Sequence, residues 1–142
     1  MNNVILKEYN NFKKHHTNVY NIIFHFICGI LYMLFLLLLF NENAILVLVL
    51  YSILVIFTIK SLSIGILIFI ILSILIIFFS NKLETSNIKI ILFIIFYLLP
   101  DLSHYMTNET TILNFNNITP QSIFINIFYL LPFTTKILLN IK

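Results

Sequence analysis

The chain alternates long apolar stretches with short polar ones, behind a polar N-terminal segment. The apolar stretches run from about Ile22 to Phe40, Ala44 to Ile59, Leu62 to Phe79, Ile88 to Leu99 and Ser122 to Leu139. The first and third are long enough to cross a hydrocarbon core as helices. The second is a little short and ends at Lys60, which divides an otherwise continuous apolar run and can snorkel to the interface. The fourth offers only a short apolar run before Pro100, where the pattern predicts the helix to break. It crosses only by tilting or with Lys89 snorkelling, or else it is half-inserted. Pro120 opens the last stretch, and Pro132 kinks it.

Between these stretches lie a turn at Asn41–Asn43, a polar loop over 80–87, and the longest polar stretch, Asp101 to Gln121. Met1 to Asn11 reads as a polar surface segment. Tyr9 and Phe12 are expected at the membrane interface, beside Lys13 and Lys14. The second and third stretches are nearly featureless and are assigned a lipid-facing structural role.

Composition makes the membrane reading firm. Of 142 residues, 61% are hydrophobic and 9% are charged, against roughly 25% charged in soluble proteins. The chain is therefore expected to be an all-α polytopic membrane bundle of four to five membrane segments, with residues 1–142 forming a single domain. Eight lysines against five acids give a formal net charge of +3, which points to orientation and anionic-lipid contact. No arginine is present for bidentate phosphate or base recognition, so nucleic acid is not expected as a partner. The lone Cys28 cannot form an internal disulfide and is assigned to packing. Oligomeric state is not readable from the sequence.

Two polar islands carry the candidate chemistry. In the first, Lys13 to Gly29, residues Asn18, Asn21 and His25 fall on one helical stripe. His15 lies near its edge if the helix starts early. If Thr17 or Asn18 caps the helix, His16 is not helical and can turn inward. The second island holds Asp101, His104 and Glu109. Four crossings place both islands on one side, which the lysine bias assigns to the cytosol. Imidazoles with carboxylates at a membrane surface suit Fe(II), Zn or Mn. Hydrogen-bonded packing histidines with solvated acids account for the same residues without a metal.

The pattern His16-x-Asn18-x-x-Asn21-x-x-x-His25-Phe26-x-x-Gly29 resembles the N-terminal signature of the DUF962 family, the Mpo1-like 2-hydroxy fatty acid dioxygenases. Ser103 to Glu109 is similar to that family's second block, with the acid five residues after His104. The resemblance implies an Fe(2+)-dependent membrane enzyme that uses O2 to shorten long-chain 2-hydroxy fatty acids by one carbon. For a eukaryotic source it implies the endoplasmic reticulum membrane. In that reading His16, His25 and His104 are the iron ligands, with His15 as substitute. Asn18 and Asn21 hold a ligand's second ring nitrogen or position the substrate carboxylate. Glu109 or Asp101 is a fourth ligand or an orienting acid. The alternative is a non-enzymatic structural or scaffold membrane protein with structural histidines; a diverged member without metal is a third possibility.

Overall fold

The computed structural model describes residues 3–83, 85–110 and 119–139. Most of the Asn- and Thr-rich part of the Asp101–Gln121 stretch, 111–118, lies outside the described residues, as do the chain ends. Among the described residues six α-helices follow in order: α1 (Asn3–His15), α2 (Val19–Leu38), α3 (Ala44–Ile59), α4 (Leu62–Phe79), α5 (Ser86–Thr107) and α6 (Pro120–Leu138). Five of them, α2 to α6, are long and apolar enough to cross a membrane, α3 together with the 3-10 turn at Asn41–Asn43 that leads into it. The protein is a polytopic, all-α integral membrane bundle.

α2 is the most enclosed of these five helices and packs most extensively along α5, then α6. α2 and α5 run antiparallel. His25 near the start of α2 meets the end of α5, while Leu38 at its end receives a bond from Lys89 at the start of α5. This arrangement carries both polar islands to one end of the bundle. Gly29 sets the approach of α6, because a Cβ there would lie 3.3 Å from that of Leu131. Gly65 does the same between α4 and α3, where a Cβ would fall 2.3 Å from Ile56 Cγ1.

The structure corrects several expectations. The N-terminal segment is a helix with most of its residues exposed, but it buries one apolar stripe. Ile5, Tyr9 and Phe12, spaced i, i+4, i+7, form one buried stripe, and Tyr9 and Phe12 pack on Phe133 of α6 rather than resting at an interface. The fourth apolar stretch does not stop at Pro100; α5 continues to Thr107. A proline forfeits one backbone bond, but ending the helix in apolar surroundings would strand several. Ser103 Oγ, 2.7 Å from the Pro100 carbonyl, and Thr107 Oγ1, donating to the Ser103 carbonyl at 2.8 Å, support the turns beyond it.

Lys89 does not snorkel, while Lys60 stays exposed at the end of α3. Lys60 takes a left-handed conformation (φ 57°) that closes α3. Lys89 is 4% exposed, and its ammonium donates to the Leu38 carbonyl and Asn41 Oδ1, both at 3.0 Å. A cation at the C-terminus of α2 is where the helix dipole favours it.

α3 is more than a lipid-facing filler. Pro132 has no N–H to give the Phe128 carbonyl, and Tyr51 of α3 donates its hydroxyl there instead, at 2.9 Å. Tyr32 of α2 does the same for the neighbouring Ile127 carbonyl, at 2.8 Å. Two buried tyrosines thus satisfy the backbone at the proline turn of α6.

Candidate metal centre

The site begins with a short break between two helices. α1 ends at His15 and α2 begins at Val19, with Asn18 as its N-cap: Asn18 Oδ1 accepts from Tyr20 N–H at 2.9 Å. His16 therefore lies outside both helices and turns inward to 3% exposure. Its ring stacks on Phe12, with centroids 3.7 Å apart, and Nδ1–H donates to the Phe12 carbonyl at 2.7 Å. His25, two turns into α2, gives Nδ1–H to the Asn21 carbonyl at 3.0 Å. His104, on the last turns of α5, completes the group and is equally buried.

His16, His25 and His104 each offer a ligand nitrogen, and these atoms lie within 4.8 Å of one another. The rings stand edge-on to each other, with centroids 4.4 to 4.9 Å apart. Because both Nδ1 protons of His16 and His25 are committed to backbone carbonyls, both Nε2 atoms carry lone pairs. Those two Nε2 atoms face each other at 3.1 Å. Burial pulls the His16 pKa down to about 4, with the Phe12 hydrogen bond opposing only in part. The ring is therefore neutral at pH 7. Two lone pairs held face to face in a buried site are an arrangement that a cation relieves. Three imidazoles form a donor set suited to zinc, iron or another divalent transition metal.

Asn21, fully buried, ties the two islands together. Its Nδ2 donates to Glu109 Oε2 at 2.5 Å and lies 3.3 Å from His104 Nδ1, while its Oδ1 accepts from Ser103 Oγ. Glu109 accepts only, so its position fixes which way the Asn21 amide points. The other oxygen of Glu109 accepts from Thr17 N–H, Thr17 Oγ1–H and Asn18 N–H, at 2.6, 2.6 and 2.8 Å. Desolvation alone would raise its pKa, but the hydrogen bonds from Thr17, Asn21 and Asn18 together outweigh that and hold the carboxyl down to about 2. The acid thus clasps the end of α5 to the start of α2.

The remaining candidates fall into other positions. His15 is not one of the three converging imidazoles; its Nδ1 lies 2.7 Å from Thr110 Oγ1. Asn18 spends its side chain on the helix cap, so of the two asparagines it is Asn21 that meets a ring nitrogen, that of His104. Glu109 reaches the histidines through Asn21. Asp101, one turn before His104, lines a cavity of about 50 Å³ that the three histidines also line. Tyr97 and Asn126 line it too, and neither was picked out by sequence; each is one of many tyrosines or asparagines, and only their placement marks them. Ser103 also bonds Asn21, a role that its residue type does not announce.

Taken together, the fold and site define a polytopic membrane protein with a buried three-histidine cluster able to hold a metal ion. No protein-family model, no curated protein and no solved structure matches the chain.

Proposed function

We propose that this protein is a metal-dependent membrane oxygenase that binds Fe(II) through His16, His25 and His104 and shortens long-chain 2-hydroxy fatty acids by one carbon. The observation that carries the reading is the convergence of three buried imidazoles from distant parts of the chain, two of them with Nε2 lone pairs facing each other. The resemblance of the His16–Gly29 and Ser103–Glu109 blocks to the DUF962 family supplies the reaction class. When bound, ferrous iron supplies a centre at which O2 and the substrate's oxygen donors can meet. The overall reaction balances as 2-hydroxy acid plus O2 giving the shortened acid, CO2 and water.

The chain's own residues set the conditions. The Phe12 and Asn21 carbonyls hold the His16 and His25 rings with Nε2 inward. Asn21, braced by Glu109 and Ser103, steadies the His104 side of the cluster. Phe12, Pro100 and Leu130 give the cavity an apolar lining that limits water. The cavity has room for an ion and a few atoms of ligand, so only a substrate's head group enters and an acyl tail stays outside.

The test is oxygen consumption and product analysis by iron-loaded protein in detergent, given 2-hydroxyhexadecanoate. Formation of pentadecanoate with stoichiometric O2 uptake, lost in His25→Ala, supports the reading. Absence of product from iron-loaded protein would remove it.

A further inference from the structure

The histidines form only one wall of the cavity. On α5, Tyr97, Asp101 and His104 are spaced i, i+4, i+7 and share one helical stripe, so Tyr97 and Asp101 face the same space as the His104 ring. Asn126 lines it from α6. The contrast with the rest of the site is in hydrogen bonding. Around the histidines, Asn21, Ser103 and Glu109 are tied into the network described above. The side-chain polar groups of Tyr97, Asp101 and Asn126 have no hydrogen-bond partner among the described residues. A half-buried carboxylate, an amide and a phenol lining one small cavity without mutual bonds are groups left available for something else.

We propose that Tyr97, Asp101 and Asn126 form the wall that reads the hydroxyl of the ligand's head group beside the metal. This deepens the oxygenase reading and rests on it. Asp101 can only accept, so it favours a ligand that donates a proton there and disfavours a bare second carboxylate. The Asn126 amide offers both a donor and an acceptor, and the Tyr97 hydroxyl a donor, to the oxygens that remain. An alcohol next to a metal-bound carboxylate satisfies all three. An unsubstituted fatty acid would displace water from the half-buried Asp101 carboxylate without giving it a donor, and that penalty is what produces discrimination. The three residues are specificity-determining rather than metal-binding.

Cobalt(II) replaces iron for the test, because its visible spectrum reports ligands entering the metal's surroundings without turnover. Detergent-purified protein loaded with Co(II) is titrated with 2-hydroxyhexadecanoate and, separately, with hexadecanoate. Wild type is expected to respond to the hydroxy acid at a concentration about 10-fold lower or less. Asp101→Asn and Asn126→Leu should bring the two titrations to within about 3-fold of each other while keeping the wild-type cobalt content. Tyr97→Phe, a near-isosteric change that keeps the ring packing, serves as the third variant. The thermal midpoint of each variant, measured in parallel, confines the comparison to folded protein. Discrimination that persists in all three cobalt-loaded variants overturns the proposal. Loss of cobalt from Asp101→Asn also overturns it, since Asp101 would then be a ligand. A wild-type protein that takes up no cobalt removes the metal reading and this one with it. Cobalt uptake without any preference for the hydroxy acid removes this one alone.

Discussion

His16 and His25, nine residues apart, hold their Nε2 atoms 3.1 Å apart with both Nδ1 protons already given to backbone carbonyls. A packing histidine normally uses its second nitrogen to donate to, or accept from, a complementary group. Here two acceptors meet, with the third imidazole edge-on beside them. That relationship is the structural reason for treating the cluster as a metal centre.

Asn21 is the strut of that centre. Asn21→Leu keeps the volume but removes the bonds to Glu109 and Ser103 and the contact with His104. Its metal affinity should fall by about 10- to 100-fold, the usual cost of losing an outer partner. Competition against a chromophoric chelator measures this. The backbone carbonyl that orients His25 survives the substitution, so binding should weaken without disappearing.

The proline turn of α6 depends on tyrosine hydroxyls. Tyr51→Phe removes the hydroxyl that donates to the Phe128 carbonyl, inside an apolar bundle. A loss of about 1–3 kcal/mol in stability is expected. It should appear as a lower thermal midpoint in detergent with metal content unchanged, because the cluster's own hydrogen bonds are untouched.

Lys89 lies at the far end of the α2–α5 pair from the histidines. Lys89→Met removes two charge-assisted bonds at the C-terminus of α2, to Leu38 and Asn41. Destabilisation of about 1–3 kcal/mol is expected, again with metal affinity retained. Equal affinity in this variant, set beside the loss in Asn21→Leu, separates general loosening from damage to the site.

Acid should destabilise the metal-free protein in two steps of the same sign. His16 has a folded pKa of about 4 against an ordinary 6.5, so the unfolded chain binds its proton first and stability falls as pH drops from 6.5 toward 4. Glu109 has a folded value of about 2 against 4.5, so its contribution is intact above 4.5 and is lost as pH falls toward 2. Thermal midpoints of chelator-treated protein should hold level above about pH 6.5 and decline from there to pH 3. A flat profile from 6.5 to 4.5 would contradict the burial of a neutral His16.

Hydrophobic pattern made the membrane bundle legible, and for α3 and α4 it made the boundaries legible too, since Lys60 and Asn43 punctuate otherwise uniform apolar runs. Pattern failed where one residue type carried two meanings. Pro100 reads as a terminator, yet α5 runs through it because apolar surroundings penalise an early end more than one missing bond. The stripe Ile5, Tyr9, Phe12 was present in the sequence but masked by the polar residues around it. For the site, residue type pointed to the histidines, whereas the division of labour was invisible. Whether His15 or His16 turns inward depends on the cap at Asn18. Whether Asp101 or Glu109 braces the network depends on where α5 ends. Tyr97 and Asn126 join the cavity only through the packing of α5 and α6.

The most direct measurement is the metal content of protein purified in detergent under anaerobic, iron-supplemented conditions, for wild type, His25→Ala and His104→Ala. About one iron per chain in wild type, lost from both variants, is the predicted result. Wild-type protein without metal, or iron retained in full by both variants, would contradict a single centre built from His16, His25 and His104.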